Sequence, residues 1–296
     1  MLEAKLVARA HPTQKTIISI AKDVSVGGNK LLVIGGPCSV ESLEQMETVA
    51  HTLARAPVQM LRGGVFKPRT SPYSFQGLGE EGLAILATIR RKYGIPLITE
   101  VMAIEQIGLL SKYTDVLQIG SRNMQNFDLL KAVGRATKPV MLKRGLAATL
   151  EELLLAAEYI VSHGNKDVIL CERGIRSFDN HTRNVLDLGG VVALKELTHL
   201  PIVVDPSHAC GKREYVADLA MAAVACGADG IMVECHPQPE KSVSDARQAL
   251  SLEEMIDLVA RLRMVAKSIG RSVDGEDRTE IRTRRGVWRQ DLTPVA

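Results

Sequence analysis

Eight short apolar runs, separated by polar loops and longer helical segments, constrain the fold of this chain more than any other feature. The runs cover residues 31–34, 59–61, 96–98, 116–119, 139–142, 168–170, 201–204 and 230–233. Eight strands that alternate with helices match a (β/α)8 barrel, which typically has about 250 residues. No G-x-G-x-x-G motif follows the first run, which disfavours a doubly wound open sheet. The pattern therefore predicts an α/β protein with a TIM-barrel fold.

The chain divides into a predicted barrel and two flanking extensions. Amphipathic segments at 43–55, 81–93, 150–163, 216–226 and 252–268 supply helices between and after the strands, so the catalytic barrel should occupy residues 31–268. Residues 1–30 contain one short β-rich piece and a Gly-Gly-Asn turn at 27–29, which predicts an N-terminal β-hairpin. Residues 269–296 carry charges of both signs that nearly cancel, which favours a solvated or partner-docking C-terminal extension.

Composition excludes several classes of function. The 37 basic and 34 acidic side chains leave a net charge of +3, and aromatic residues make up only 3%, which argues against nucleic-acid binding. No apolar stretch approaches the ~20 residues of a membrane span, and the first residues lack a signal-peptide pattern. The five cysteines form no C-x-x-C pair, which favours reduced thiols. We therefore expect a cytoplasmic protein that binds neither nucleic acid nor membranes.

Ionisable or metal-binding side chains follow every apolar run at its carboxyl end. They include Cys38, Arg62, Glu100, Arg122, Lys143, Arg173, Asp205, His208 and Glu234. The amino ends of the runs carry no such series, and three of the runs begin with proline. Because the active sites of TIM barrels are built at the carboxyl ends of the strands, we expect the functional site there.

One set of these side chains is cationic. It comprises Arg62, Lys67, Arg69, Arg122, Lys143 and Arg173. Positive charges that converge on one rim repel each other unless anions lie between them, and arginine and lysine are the usual partners of phosphate. We expect one or two of the six to pair with nearby acids. So many cations indicate more than one anionic group, either a bisphosphate or two phosphorylated substrates.

A second set could hold a metal ion. It comprises Cys38, His208, Glu234 and Asp245, from the first, seventh and eighth strands and the loop beyond. In a closed barrel the eighth strand lies beside the first, which would bring these distant residues together. A thiolate, an imidazole and two carboxylates suit Mn²⁺, Fe²⁺, Co²⁺ or Zn²⁺. His236 is a further candidate ligand.

The residues that follow the runs also carry a family resemblance. The stretches are 36–42 (GPCSVES), 67–71 (KPRTS), 119–123 (IGSRN), 142–145 (LKRG), 205–208 (DPSH) and 233–236 (VECH). Together they resemble the 3-deoxy-D-arabino-heptulosonate 7-phosphate (DAHP) synthases, in particular the short microbial type I-beta subtype without a fused regulatory domain. The resemblance implies a metal-dependent barrel transferase. Such an enzyme condenses phosphoenolpyruvate with erythrose 4-phosphate and releases phosphate, as the first step of the shikimate pathway to aromatic amino acids.

The resemblance also assigns roles to residues of this chain. The metal ligands of the family fall on Cys38, His208, Glu234 and Asp245. Its phosphoenolpyruvate contacts fall on Arg62, Lys67, Arg122, Lys143 and Arg173, and its aldose-phosphate loop falls on Pro68, Arg69, Thr70 and Ser71. We add Asp205 to the expected substrate contacts, and we expect Lys143, Cys38 and His208 to take part in catalysis. The resemblance further implies a homodimer or homotetramer, and it leaves room for a separate regulatory partner such as chorismate mutase.

Three alternatives remain at this point. The nearest is a 3-deoxy-D-manno-octulosonate 8-phosphate synthase that uses arabinose 5-phosphate. Those relatives typically read Lys-Ala-Asn-Arg-Ser after the second strand, whereas Arg69 of this chain suits a shorter sugar phosphate. A second alternative is a Schiff-base aldolase with Lys143 as the nucleophile, although the metal-binding set would then lack a purpose. The third is a non-catalytic sugar-phosphate binding protein.

Overall fold

A closed barrel of parallel strands forms the body of the protein, as the sequence predicted. The computed structural model describes residues 3–68 and 71–273. In this part of the chain a hairpin, β1 (Ile18–Ala21) and β2 (Val24–Val26), precedes eight barrel strands. These are β3 (Leu32–Gly36), β4 (Met60–Arg62), β5 (Leu97–Val101), β6 (Val116–Ile119), β7 (Val140–Lys143), β8 (Val168–Glu172), β9 (Ile202–Val204) and β10 (Gly230–Glu234).

Helices surround the barrel and connect its strands. Those of the described residues are α1 (Leu43–Leu53), α2 (Glu80–Tyr93), α3 (Gln106–Tyr113), α4 (Phe127–Val133), α5 (Leu150–Ser162), α6 (Leu188–Leu197), α7 (Pro206–Cys210), α8 (Arg213–Ala225) and α9 (Leu252–Ser268). Side chains before several helices satisfy the free backbone N–H groups of the first turn. Thr149 and Glu152 form such a capping box at α5, and Ser251 and Glu254 form another at α9.

The first and last barrel strands pair in register. Gly230 of β10 lies opposite Leu32 of β3, and Glu234 lies opposite Gly36. The strand order is β10-β3-β4-β5-β6-β7-β8-β9, which closes the sheet on itself. Closure brings the loop after β3 next to the loop after β10, as the predicted metal site requires.

Alternate residues of each strand point into the barrel. The inner layer is apolar and includes Leu32, Ile34, Met60, Ile98, Val116, Met141, Ile169, Val203 and Met232. Ile18 and Val26 of the hairpin are fully buried in the same cluster. The other faces of the strands pack against the helices in a second, larger apolar cluster. The barrel is therefore a filled core, and its chemistry is confined to the rims.

The N-terminal segment and the described residues after α9 both meet the amino-terminal end of the barrel. The backbone N–H of Thr16 donates to the carbonyl oxygen of His199, just before β9. The hairpin closes at Lys22 and Asp23, where Asp23 has a φ of +63°, and the turn predicted at 27–29 leads from the hairpin into the barrel. After α9, the N–H of Leu31 donates to the carbonyl oxygen of Ser272. The predicted extension beyond residue 273 lies outside the described residues.

No helix among the described residues combines the length and the apolar character needed to cross a lipid bilayer.

Candidate active site

A cavity of about 540 Å³ opens at the carboxyl ends of the barrel strands, where the sequence predicted the functional site. The strands themselves place its walls: Arg62 is the last residue of β4 and Lys143 is the last residue of β7. The volume lies within the range of small-molecule sites. The lining is strongly polar, which favours a charged ligand.

Four predicted metal ligands converge at one side of this cavity. Ligand atoms of Cys38, His208, Glu234 and Asp245 all lie within 4.8 Å of one another. Nε2 of His208 is 3.2 Å from Oε1 of Glu234, and Sγ of Cys38 is 3.2 Å from Oδ2 of Asp245. Residues up to 207 positions apart in the chain therefore form one donor set. His236 lies outside this set, with its Nε2 3.4 Å from Oε2 of Glu41.

The hydrogen bonds around the donor set suit a metal ion. Nδ1 of His208 lies 2.7 Å from Oδ2 of Asp205, so we assign the ring proton to Nδ1, which leaves the lone pair of Nε2 facing the other donors. Oε1 of Glu234 is fully buried and makes no well-aligned hydrogen bond, although Nη1 of Arg62 lies 3.0 Å away. A buried carboxylate oxygen of this kind fits the coordination of a cation. The donor types and their spacing therefore fit a divalent ion.

Burial and neighbouring charges change the ionisation of three of these groups. Burial, together with the charge of Glu234, raises the pKa of the Cys38 thiol to about 12. Burial also lowers the pKa of His208, so the neutral ring that can bind a metal is favoured. Burial opposes the charge of Asp245, but His208 and Arg183 outweigh it and lower the pKa of Asp245 to about 2. Since a thiol binds metals as the thiolate, a bound ion must displace the proton of Cys38.

The rest of the cavity lining is cationic. Seven of its described residues carry a positive charge, namely Arg62, Lys67, Arg122, Lys143, Arg173, Arg176 and Arg183. Glu100 and Asp245 are the acidic residues of the same described lining. This excess of positive charge in a confined space attracts anions with several negative charges.

Among the five predicted cations that the structure describes, two are ion-paired. Arg62 contacts Glu234, and Nζ of Lys143 donates to Oδ2 of Asp205. Both acidic partners are fully buried. Nζ of Lys67 lies 3.0 Å from Sγ of Cys38. The cations and the donor set are thus in direct contact.

The remaining predicted site residues differ in whether they line the cavity. Pro68 and Ser71 line the cavity, whereas Arg69 and Thr70 lie outside the described residues. Asp205, which we expected to contact substrate, is fully buried and does not line the cavity. Its carboxylate instead joins Lys143 to His208.

Several lining residues were not identified from the sequence. Arg176, Arg183 and Asn184 lie in the long loop between β8 and α6, away from the end of the strand. The loop folds back along α7, where the N–H of Asn184 donates to the carbonyl oxygen of Ala209. The positive charges of this loop could have marked it as part of the cavity. They lie several residues after the end of β8, however, so the sequence did not show that they return to the cavity.

Arg144, Glu172 and Asp187 form an ion-pair network next to the cavity, at the carboxyl end of β8. Nη1 of Arg144 lies 2.8 Å from Oε2 of Glu172 and 2.8 Å from Oδ2 of Asp187. Asp187 also caps the first turn of α6. Burial raises the pKa of Glu172, and Arg144 partly counteracts that increase. The network fixes the end of β8 immediately before Arg173.

The chain is similar to known proteins along most of its length. It is 48% identical over 270 residues to the phospho-2-dehydro-3-deoxyheptonate aldolase of Thermotoga maritima, an alignment that covers 91% of this chain and 80% of the relative. It is 33% identical to the 2-dehydro-3-deoxyphosphooctonate aldolase of Syntrophobacter fumaroxidans, which covers 86% of this chain and 93% of that protein.

Solved structures give the same result. The crystal structure of the Thermotoga maritima DAHP synthase superposes with a TM-score of 0.88, at 48% identity, and covers 92% of this chain and 79% of that one. A truncated form of the 3-deoxy-D-arabino-heptulosonate 7-phosphate synthase of the same organism gives a TM-score of 0.84, at 44% identity, over 90% of this chain and 98% of that one. The family model of the DAHP synthetase I family matches residues 15–269. The chain therefore belongs to the DAHP synthetase I family.

Proposed function

We propose that this protein is a DAHP synthase. It condenses phosphoenolpyruvate with D-erythrose 4-phosphate and water, and it releases 3-deoxy-D-arabino-heptulosonate 7-phosphate and phosphate. One observation carries this assignment: the cationic cavity adjoins a Cys-His-Glu-Asp donor set on one barrel rim. Membership of the DAHP synthetase I family supports the same reaction.

Phosphoenolpyruvate is the natural ligand of the cations that line the cavity. We assign its binding to Arg62, Lys67, Arg122, Lys143 and Arg173, as predicted from sequence. Arginine binds carboxylate and phosphate through two parallel hydrogen bonds, so several of them can fix both ends of the enol phosphate. Fixing the substrate in this way holds its methylene carbon close to the aldehyde carbon of the second substrate.

Lys143 is the strongest candidate for proton transfer. Its ammonium group lines the cavity and donates to the buried carboxylate of Asp205. The hydrogen bond to Asp205 fixes the position of the Lys143 side chain, so that Lys143 can deliver a proton to the reacting atoms from one place. The carbon–carbon bond forms as the enol carbon attacks the aldehyde, water adds to the carbon that bears the phosphate, and phosphate leaves.

Cys38, His208, Glu234 and Asp245 would hold the divalent ion of this enzyme. The chemistry that such an ion supplies is polarisation of the aldehyde oxygen or activation of the attacking water. Mn²⁺, Fe²⁺, Co²⁺ and Zn²⁺ all suit the donor types.

The length of the aldose phosphate separates the two closest alternatives. The chain is 48% identical to a heptonate enzyme and 33% identical to an octonate enzyme, which favours the four-carbon erythrose 4-phosphate. Pro68 and Ser71, on either side of Arg69 and Thr70, line the cavity, which supports a role of this loop in aldose binding.

Phosphate release tests the assignment. We would mix phosphoenolpyruvate with erythrose 4-phosphate or with arabinose 5-phosphate and measure inorganic phosphate, with and without a chelator. We expect release with the four-carbon sugar that the chelator abolishes and that Mn²⁺, Co²⁺ or Zn²⁺ restores. Faster release with the five-carbon sugar would assign the octulosonate reaction instead.

Two further tests separate the remaining alternatives. Borohydride trapping with substrate should leave Lys143 unmodified, because the proposed reaction forms no Schiff base. A protein that binds both sugar phosphates without releasing phosphate would be a binding protein rather than an enzyme.

We also propose a homodimer or homotetramer in the cytoplasm. Tyr73 and Phe178 are 96% and 102% exposed on loops after β4 and β8, and exposed aromatic side chains of this kind are enriched at protein interfaces. Light scattering of the purified protein measures the subunit number.

All five cysteines are free thiols, which agrees with a reducing compartment such as the cytoplasm. A regulatory partner such as chorismate mutase stays a prediction.

A further inference from the structure

Gln248 and Arg183 donate hydrogen bonds to the two carboxylates of the donor set, those of Glu234 and Asp245. Nε2 of Gln248 donates to Oε2 of Glu234 at 2.5 Å. Nη1 of Arg183 donates to Oδ1 of Asp245 at 3.1 Å and to Oε1 of Gln248 at 3.2 Å. The guanidinium group and the amide thus connect both carboxylates through their outer oxygens.

The inner oxygens of the same carboxylates face the other ligands. Oε1 of Glu234 lies 3.2 Å from Nε2 of His208, and Oδ2 of Asp245 lies 3.2 Å from Sγ of Cys38. Each carboxylate therefore has one oxygen that accepts from Arg183 or Gln248 and one that faces the other donors. This division favours binding of the ion through one oxygen of each carboxylate.

The backbone fixes Arg183 independently of any ligand. Its N–H donates to the carbonyl oxygen of Cys210, at the end of the helix that carries His208. A Cβ on Gly211 would lie 2.6 Å from Cβ of Arg183, so the glycine provides the space in which the arginine stem lies. The guanidinium group therefore approaches Asp245 from a defined direction.

The backbone of Asp245 adopts an unfavourable conformation that other residues must stabilise. Its φ is +55°, a left-handed conformation that costs free energy for a residue other than glycine. The next turn, Ala246–Gln248, carries Gln248, whose side chain is buried and whose N–H donates to the carbonyl oxygen of Asp245. Such a conformation persists only where surrounding contacts determine it.

We propose that Arg183 and Gln248 are positioning residues that set the metal affinity of this enzyme. They orient Glu234 and Asp245 so that one oxygen of each faces the ion, a role that rests on the metal site of the proposed function. Hydrogen-bonding partners of metal ligands typically contribute about 10- to 100-fold in affinity. Loss of either partner should therefore weaken metal binding even when no substrate is present.

The test is a competition between the full-length protein and a chromophoric chelator for Zn²⁺ and for Co²⁺. We expect Gln248→Leu and Arg183→Met each to bind both ions about 10- to 100-fold more weakly than the wild type. Arg183→Lys should lie between them and the wild type, because lysine keeps the charge near Asp245 but not the forked geometry. Arg247→Ala is the matched control on the same turn and should bind like the wild type.

Two further measurements separate positioning from a loss of folding. Thermal unfolding of each chelator-treated variant reports on the fold without the ion. Arg183→Met alters a side chain that is partly exposed, so this variant tests the proposal even if the buried Gln248→Leu does not fold. The absorption spectrum of the Co²⁺-loaded variants should change in shape, because the carboxylates no longer approach the ion in the same way.

The outcomes test the proposed metal site and the positioning role of Arg183 and Gln248 separately. Wild-type protein that binds neither ion would overturn the proposed metal site and the positioning role together. Folded variants that bind both ions as tightly as the wild type, with unchanged Co²⁺ spectra, would overturn only the positioning role. Weaker binding in the variants, with tight binding in Arg247→Ala, supports it.

Discussion

The carboxylate of Asp205 lies 2.7 Å from Nδ1 of His208 and also accepts a hydrogen bond from Nζ of Lys143. It therefore connects a proposed metal ligand to a cation of the cavity. Burial opposes its charge, but His208 and Lys143 outweigh burial and hold the pKa of Asp205 well below the usual value. Asp205, which we expected to contact substrate, thus orients His208 and Lys143.

Asp205→Asn should weaken metal binding and catalysis together. The amide keeps the shape but removes the negative charge beside His208 and Lys143, so we expect about 10- to 100-fold lower Zn²⁺ affinity and a lower kcat. Chelator competition and steady-state kinetics measure the two effects. Asp257→Asn, on the exposed side of α9, is the control. Unchanged metal affinity in Asp205→Asn would mean that this carboxylate does not orient His208.

Metal binding should release about one proton from Cys38 at neutral pH. Burial raises the pKa of this thiol to about 12, so it is protonated in the metal-free protein and must ionise to bind the ion. Apparent metal affinity should consequently rise with pH through the neutral range. Titration calorimetry in buffers of different ionisation enthalpy counts the protons.

Cys38→Ser provides the comparison for this prediction. The variant should fold, since serine is nearly the same size, but it should bind metal more weakly and turn over more slowly. Proton release should also change, because the ligand is no longer a thiol. Full activity in chelator-treated Cys38→Ser would remove the metal ion from the mechanism.

Gly120→Ala should impair phosphoenolpyruvate binding without unfolding the protein. A Cβ at this position would lie 2.1 Å from Oε1 of Glu100, so the carboxylate must move, and the cavity is the open space beside it. A negative charge shifted among the cations competes with the substrate, and we expect the KM for phosphoenolpyruvate to rise roughly tenfold, equivalent to about 1.4 kcal/mol. Adding Glu100→Gln should recover much of the loss. An unchanged KM in Gly120→Ala would contradict this explanation.

Arg144→Met should destabilise the fold by ~3–5 kcal/mol at neutral pH, because it leaves Glu172 buried without its partner. Burial already raises the pKa of Glu172, and loss of Arg144 raises it further. A carboxyl with a raised folded-state pKa costs stability above its ordinary value of about 4.5, where the unfolded chain ionises it. The loss should therefore shrink as pH falls from neutrality toward 4.5 and be absent below that value. Guanidinium denaturation at several pH values tests this. A loss that is independent of pH would exclude Glu172 as its source.

The sequence predicted those parts of the site that depend on topology. Cys38 and Glu234 could be placed together because closure of the barrel makes their strands neighbours, and β3 and β10 do pair in register. The cations at strand ends could be predicted for the same reason, since parallel strands end at one rim.

The parts that the sequence did not predict depend on loop conformation and on burial. Arg183 reaches the metal site only because residues 183 and 184 fold back along α7, a contact with no periodic signal. Asp205 follows a strand like the substrate contacts, but its side chain caps α7, with Oδ1 accepting from the N–H of His208, and is buried below the cavity. The N-terminal hairpin was predicted, but its second strand and the turn at Lys22 and Asp23, where Asp23 has a positive φ, were not located from the sequence.

A crystal structure of the protein soaked with Mn²⁺ and phosphoenolpyruvate, with data collected at the absorption edge of the metal, tests the central claim most directly. We predict one anomalous peak at bonding distance from Cys38, His208, Glu234 and Asp245, with the enol phosphate among Arg62, Arg122 and Arg173 beside it. A metal peak elsewhere, or phosphoenolpyruvate bound away from these arginines, would contradict it.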